Sequence, residues 1–112
     1  MTARYLPPPP GLKPPTRWGT EGGLRELFGD GISGLSVTRQ MFRTRMPSAR
    51  HWLDFFKKNF GPTATTYQSL DPASQERYTE EILELLNSSN LANDGTLKTD
   101  SEYLEVVATK RA

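Results

Sequence analysis

The chain has no cysteine and a single histidine, His51. The absence of cysteine excludes disulfides, a thiolate nucleophile and thiolate metal sites, and one histidine excludes a multi-histidine metal site. No apolar run approaches the roughly 18 residues that a membrane-spanning helix needs, and the N-terminal residues lack the apolar core of a secretory signal. We therefore expect a cytoplasmic protein without a membrane partner.

Hydrophobic residues are also scarce, at 35% of 112 residues, so we expect one small domain with a thin core. The net charge of +1 lacks the clustered Lys and Arg excess that nucleic-acid binding requires. Residues 1–60 hold ten Lys and Arg against four acidic residues, whereas residues 61–112 hold four against nine. This asymmetry indicates either a basic face for an anionic ligand or two halves that pack with complementary charge, and the second interpretation is favoured.

Proline is concentrated at the start of the chain. Residues 1–19 include the run Pro7–Pro10, which favours polyproline II and excludes a helix or a central strand. The run also satisfies the PxxP pattern of SH3 ligands, although a stiff connector is the favoured interpretation. The sequence thus predicts an extended lead-in over residues 1–19 and a single folded unit over residues 20–112.

Capping and stop signals predict three to four helices in that unit. Thr20, Ser48 and Asp71 are the expected N-caps, and the Gly61-Pro62 pair is expected to end the second helix. The expected ranges are residues 20–28, 49–60, 63–69 and 71–88.

Two main strands are expected, at about residues 35–46 and 102–110, antiparallel to each other. The apolar residues of the first change parity along its length, which indicates a bulge or a twisted strand. The second is apolar on both faces, with Leu104 and Val106 on one and Tyr103 and Val107 on the other. A strand of that kind belongs inside a sheet with cover on each side. We therefore expect the chain to be part of a larger fold.

Chemically reactive groups do not assemble into a conventional active site. Gly19–Gly23 lacks the preceding strand and the GxGxxG spacing of a dinucleotide site, so it indicates a loop and helix start. Trp52, Phe55, Phe56 and Phe60 fall at helical spacing and are mostly expected in the core. Trp18 and Tyr67 lie outside the long periodic segments and are candidates to line a cavity for an organic substrate.

In their order along the chain, these segments resemble the C-terminal part of class I S-adenosylmethionine-dependent methyltransferases of the ubiquinone-biosynthesis-like type common in bacteria. The resemblance covers nearly the whole chain and rests on Pro7–Gly19, Leu24–Phe28, Phe42-Arg43, Trp52–Phe56 with Phe60–Pro62, and Ser101–Ala108. It implies an α+β fragment of an α/β Rossmann-like fold. In that fold the last strand runs antiparallel to its neighbours and lies between the fifth and sixth strands. Residues 35–46 would be the sixth strand.

The resemblance also implies a division of labour. The family builds its S-adenosylmethionine site from a glycine-rich loop and an acidic residue of the first half of the fold, which this chain lacks. We therefore expect no cofactor binding and no catalytic residue in this chain alone, and an N-terminal methyltransferase half as its partner. Trp18, Phe55, Phe56 and Tyr67 are then candidates to line the pocket of a small organic methyl acceptor.

A non-enzymatic interaction module is the alternative. Such a module would cover its exposed strand edge by homodimerising or by adding to the sheet of another protein.

Overall fold

Two long strands and five α-helices form the part of the chain that the computed structural model describes, residues 2–112. In chain order the elements are α1 (Thr2–Tyr5), α2 (Glu21–Phe28), β1 (Ile32–Met46), α3 (Ala49–Asn59), α4 (Gly61–Ser69), α5 (Pro72–Ser88) and β2 (Leu97–Lys110). Short 3-10 turns cover Pro15–Gly19 and Gly29–Gly31. The prediction of three to four helices is wrong, because it missed the short helix α1, which forms inside the proline-rich lead-in.

The three predicted N-caps are confirmed. In each, the side-chain oxygen accepts a hydrogen bond from the backbone N–H three residues later: Thr20 from Gly23 at 3.0 Å, Ser48 from His51 at 3.0 Å and Asp71 from Ser74 at 2.7 Å. These bonds satisfy donors that the first turn of a helix leaves without a partner. Gly29 follows α2 with a φ of 55°, a conformation that glycine adopts at little cost.

The Gly61-Pro62 pair has a second role beyond the predicted stop. It ends α3 at Asn59 and also begins α4 at Gly61, two residues before the predicted start of a helical turn. Proline suits the first turn of a helix because the N–H that it lacks has no partner there.

The two strands pair as a two-stranded antiparallel sheet, as predicted. Both begin earlier than expected, β1 at Ile32 and β2 at Leu97. Leu97 is fully buried, so the burial of its side chain anchors the early start of β2. The architecture is therefore α+β, and residues 2–112 contain no parallel strands of a Rossmann-like sheet.

The covered positions of β1 change parity, as the sequence predicted. Leu35 and Val37 are half-buried at odd positions, and Gln40, Thr44 and Met46 are half-buried at even positions. Ile32, which begins the strand, is also half-buried at an even position. The covered side chains therefore switch from odd to even positions between residues 37 and 40.

The chain divides into two compact units. The first comprises the segment up to Pro10 together with Arg43–Thr99, and the second comprises Gly11–Phe42 with Asp100–Ala112. Each strand contributes residues to both units. The predicted lead-in is shared between them as well, and Pro7–Pro10 has neither helix nor strand in its first three residues.

A compact apolar core holds the first unit together. Its buried residues are Leu53, Tyr67, Tyr78, Ile82, Leu86 and Leu97. Helix α1 packs on this core through Tyr5, whose ring lies 4.8 Å from that of Tyr78, and through a 2.9 Å hydrogen bond between the Thr2 and Tyr78 hydroxyls. These contacts explain why the start of the lead-in is ordered as a helix.

The second unit is built around Leu24, which is buried in α2. Phe28 of the same helix meets Trp18 edge to face, with ring centroids 6.0 Å apart. At the end of β2, the Arg111 side chain donates hydrogen bonds to the carbonyl oxygens of Asp30 and Ile32, at 2.9 and 3.1 Å. This clamp fixes the turn that leads into β1.

One face of β2 is left uncovered in this unit. Tyr103 is 49% exposed and Val107 is 60% exposed, whereas Leu104 and Val106 on the other face are half-buried. The strand that was expected to have cover on both sides therefore has it on one.

Replacing Leu53 with alanine is expected to lower the free energy of unfolding by about 3 kcal/mol, because it leaves a cavity in the core of the first unit. The matched control on the same helix is Phe55→Ala, which should cost less than about 1 kcal/mol since half of that ring is already exposed. Urea denaturation followed by circular dichroism measures both values. Equal losses would contradict the orientation of α3.

The Asp71 cap predicts a defined pH dependence. Hydrogen bonds from Ser74 hold the pKa of Asp71 below its ordinary value of 3.8. Its contribution to stability is therefore complete above pH 3.8 and is lost as the pH falls through the lower pKa of the folded state. We expect the melting temperature of Asp71→Asn to fall less steeply on acidification, because asparagine caps without titrating. Thermal melts of the wild type and of Asp71→Asn at a series of pH values measure this. Melting temperatures that fall equally steeply with pH in the two proteins would contradict it.

Candidate functional site

A groove of about 530 Å³ lies within the first unit, where β1 ends and β2 begins. We call it the β1-end groove. Its lining residues come from the end of β1 and the proline after it, from the loop that joins α5 to β2, and from the first two residues of β2: Arg45, Met46, Pro47, Leu91, Ala92, Asn93, Asp94, Thr96, Leu97 and Lys98.

Asn90 builds the loop wall of this groove. Its Oδ1 accepts hydrogen bonds from the backbone N–H groups of Ala92 and Lys98, both at 2.9 Å, and its Nδ2 donates to the carbonyl oxygen of Thr96 at 2.8 Å. A backbone bond of 2.8 Å from Leu91 to Lys98 closes the same loop. One amide side chain thus ties the start of β2 to the end of α5.

Asp94 shapes the tip of the loop. Its Oδ1 accepts a hydrogen bond from the Thr96 backbone N–H at 3.1 Å and another from the Thr96 hydroxyl. Gly95 between them has a φ of 87°, which side-chain-bearing residues rarely adopt. The bonds from Thr96 hold the pKa of Asp94 below its ordinary value, so it is a carboxylate at neutral pH.

The groove combines apolar and cationic groups. Leu97 is buried at its base and Met46 is half-buried, while Leu91 is exposed at its rim. Arg45 and Lys98 are the cations, and neither forms an ion pair with any residue in 2–112. This arrangement can hold a small molecule by contact and charge.

The described part of the chain, residues 2–112, contains neither a metal-ligand cluster nor a membrane-spanning helix. No cluster of three or more His, Cys, Asp or Glu side chains there could hold a metal ion. None of its helices combines the length and apolar character needed to cross a membrane.

Tyr67, a predicted pocket residue, lies in the core of the first unit. Its ring lies 5.1 Å from that of Tyr78, and its hydroxyl is 2.7 Å from the hydroxyl of Thr79. The Lys57 ammonium is 4.3 Å from the ring centroid, and burial raises the pKa of Tyr67. These contacts engage both the ring and the polar end of the side chain.

Phe55 and Phe56 lie together on α3, in a surface that we call the α3 aromatic row: Trp52, Phe55, Phe56 and Phe60. Trp52 stacks on Phe56 with centroids 3.9 Å apart, and Phe56 meets Phe60 at 5.4 Å and Phe55 at 5.9 Å. Phe55 and Phe60 are about half exposed, so the prediction that this stripe is mostly core is wrong for them. The physical reason is that α3 buries Leu53 in the core, which leaves Phe55 and Phe60 at the surface, whereas Trp52 is half-buried against the core.

Trp18, the fourth candidate, belongs to the second unit and is 54% exposed. It lies at the end of the 3-10 turn and contacts Phe28. None of the four predicted residues lines the β1-end groove. Two local features of the sequence indicate the loop side of the groove: the Asp94-Gly95 turn and the polar loop before it. Neither of them predicts that Arg45 lies beside this loop.

One glycine of the segment Gly19–Gly23 is required for close packing. A Cβ atom on Gly23 would lie 2.1 Å from the carbonyl oxygen of Arg17, whereas one on Gly22 would meet nothing within 4 Å. Gly23 therefore allows the 3-10 turn to lie against the start of α2. The segment is a loop and helix start, as predicted.

Comparison with known proteins adds three relatives. The chain is similar to uncharacterized proteins of Mycobacterium bovis and of two Mycobacterium tuberculosis strains, each 31% identical over 103 residues. The match covers 89% of this chain and 36% of each relative, so the chain spans about a third of the length of these proteins. No family model matches the chain.

Replacing Asn90 with alanine is expected to cost about 2 kcal/mol of unfolding free energy, because it leaves part-buried backbone groups of the loop without partners. Asn93→Ala is the control, since Asn93 is an exposed neighbour in the same loop. Urea denaturation gives the energies, and amide NMR should show the largest shifts at Ala92 and Lys98. Equal effects of the two substitutions would contradict the role of Asn90.

Proposed function

We propose that this chain is the C-terminal, substrate-side segment of a class I S-adenosylmethionine-dependent methyltransferase and that it acts only with a cofactor-binding half. The observation that carries the proposal is strand β2. It is hydrogen bonded to β1 on one edge, and it exposes Tyr103 and Val107 on a face that its apolar pattern suits for burial.

The direction of the strands supports this proposal. The resemblance to the methyltransferases implies a final strand that runs antiparallel to the sixth strand and has a further neighbour on its other edge. β2 is antiparallel to β1, and β1 is the only strand that pairs with it in the described residues. The second edge of β2 is therefore available to a fifth strand supplied by the other half.

The relatives are long enough to contain such a half. About two-thirds of the length of each mycobacterial relative lies outside the stretch that this chain matches. A βα half that binds a nucleotide-like cofactor needs a length of that order.

This chain's own residues do not fit S-adenosylmethionine. The family pattern requires a glycine-rich loop between a strand and a helix, but Gly19–Gly23 follows a 3-10 turn. Gly23 is also occupied in packing against Arg17. The proposal therefore assigns no cofactor contact to residues 2–112.

The part assigned to this chain is contact with a small organic methyl acceptor. Phe55 and Phe56 of the α3 aromatic row present an exposed and a half-buried ring that can supply apolar contact to a substrate. Trp18, in the second unit, presents an exposed ring of the same kind and is a separate candidate. The core contacts of Tyr67 favour a supporting role for that residue. A cytoplasmic location stays a prediction.

A chimera tests this proposal. The matched 103 residues of the Mycobacterium tuberculosis relative are replaced by the corresponding residues of this chain. Equilibrium dialysis with labelled S-adenosylmethionine is then performed on the relative, the chimera and the isolated chain. We expect the first two to bind the cofactor and the isolated chain to bind none. Val107→Asp should abolish binding by the chimera, because it buries a charge beneath the added half.

Lys58→Asp, at the exposed end of α3, is the control that introduces the same carboxylate elsewhere. Failure of the relative itself to bind the cofactor would refute the proposal. So would a folded chimera that does not bind, or one in which Val107→Asp binds as well as the control. Self-association of the chain through β2 without cofactor binding would favour the interaction module instead.

A further inference from the structure

We propose that the β1-end groove binds a small organic monoanion, a carboxylate attached to an apolar body. The observation is the placement of two cations, Arg45 and Lys98, beside an apolar base in a cavity of ligand size. The proposal does not depend on the methyltransferase function, because this chain alone supplies every lining residue.

The dimensions of the groove suit a small molecule. Its volume of about 530 Å³ lies within the range of roughly 300 to 1,000 Å³ that is usual for ligand pockets. All of the residues that line this open groove belong to the first unit.

The apolar base accounts for the body of the ligand. Leu97 is buried beneath the groove, and Met46 and Pro47 form the side contributed by β1. Leu91 is 55% exposed at the rim. An apolar ligand body would shield this side chain from water. Burial of apolar surface stabilises a complex in proportion to the area that is removed from water.

The charges account for the anionic group. The side chains of Arg45 and Lys98 carry two positive charges, and Asp94 carries one negative charge that Thr96 already holds by hydrogen bonds. The balance of one positive charge matches a monoanion. The planar guanidinium of arginine suits a carboxylate in particular, because it can donate two parallel hydrogen bonds.

Arg45 and Lys98 differ from the arginines that form ion pairs between the two halves of the sequence. Arg4 forms an ion pair of 2.8 Å with Glu81, and Arg39 pairs with Glu102. Both pairs link the basic half of the sequence to its acidic half, whereas Arg17–Glu26 and Arg25–Glu21 pair within the basic half. Arg45 and Lys98 form no ion pair among residues 2–112. Lys98 also acts electrostatically on the Asp94 carboxylate, so it is the net positive charge of the groove that is available to a ligand.

The loop wall is formed before any ligand arrives. The hydrogen bonds of Asn90 to Ala92, Thr96 and Lys98 fix the backbone that carries most of the lining. A site whose walls are already ordered loses little conformational entropy on binding, which favours affinity for a small ligand.

Amide-correlation NMR of the full chain tests the proposal, with naphthoate as the probe and its neutral analogue naphthamide as the matched control ligand. We expect naphthoate to shift the amides of Leu91, Ala92 and Leu97, and naphthamide to bind much more weakly. Arg45→Gln and Lys98→Gln should each raise the dissociation constant about three-fold, and the double variant about ten-fold, because each removes one ion pair with the carboxylate.

Lys58→Gln removes an equal charge on exposed α3 and should leave the dissociation constant unchanged. Equal binding of naphthoate and naphthamide would overturn the proposal, since the cations would then have no role. Shifts confined to other surfaces, such as the α3 aromatic row, would also overturn it, as would an equal loss in the Lys58→Gln control. Inorganic phosphate that binds as tightly as naphthoate would show that charge acts without the apolar base and would overturn the stated ligand class.

Discussion

The backbone pairing of β1 with β2 is the interaction on which the rest of this structure depends. The strands run for fifteen and fourteen residues, and each contributes to both compact units. A two-stranded ribbon is only marginally stable by itself in water, so packing must hold it. In the first unit Leu97 and Met46 provide this by joining the helical core, and in the second Arg111 fastens the end of β2 to the turn before β1.

Short polar side chains do much of the local organisation. Thr20, Ser48 and Asp71 start three helices, and Asn90 ties together the loop before β2. Each satisfies backbone groups that would otherwise lack partners, and no buried polar side-chain atom of the described residues is left without a hydrogen bond. A chain with a thin apolar core thereby obtains defined element boundaries from hydrogen bonds.

The features that could be predicted from the sequence are those decided within a few residues. The caps and the ends of α2 and α5 follow from local chemistry, and so does the parity change in β1. The burial of Leu53 in place of Phe55 could not be predicted, because both are apolar residues of the same helix. Only the positions of α4 and α5 decide which face of that helix is covered. Helix α1 depends in the same way on Tyr78, which is more than seventy residues away. The β1-end groove joins Arg45 to Lys98, and no local pattern relates two residues so distant in the chain.

The adjacent glycines at the start of α2 have a consequence for how this sequence can drift during evolution. Gly23 lies so close to the Arg17 carbonyl that any side chain there would force the turn and the helix apart. Gly22 faces open space, where alanine would favour the helix by roughly 1 kcal/mol. Two identical residues side by side thus differ in their freedom to vary. Glycine should persist at position 23 in proteins that keep this turn, whereas position 22 is open to substitution.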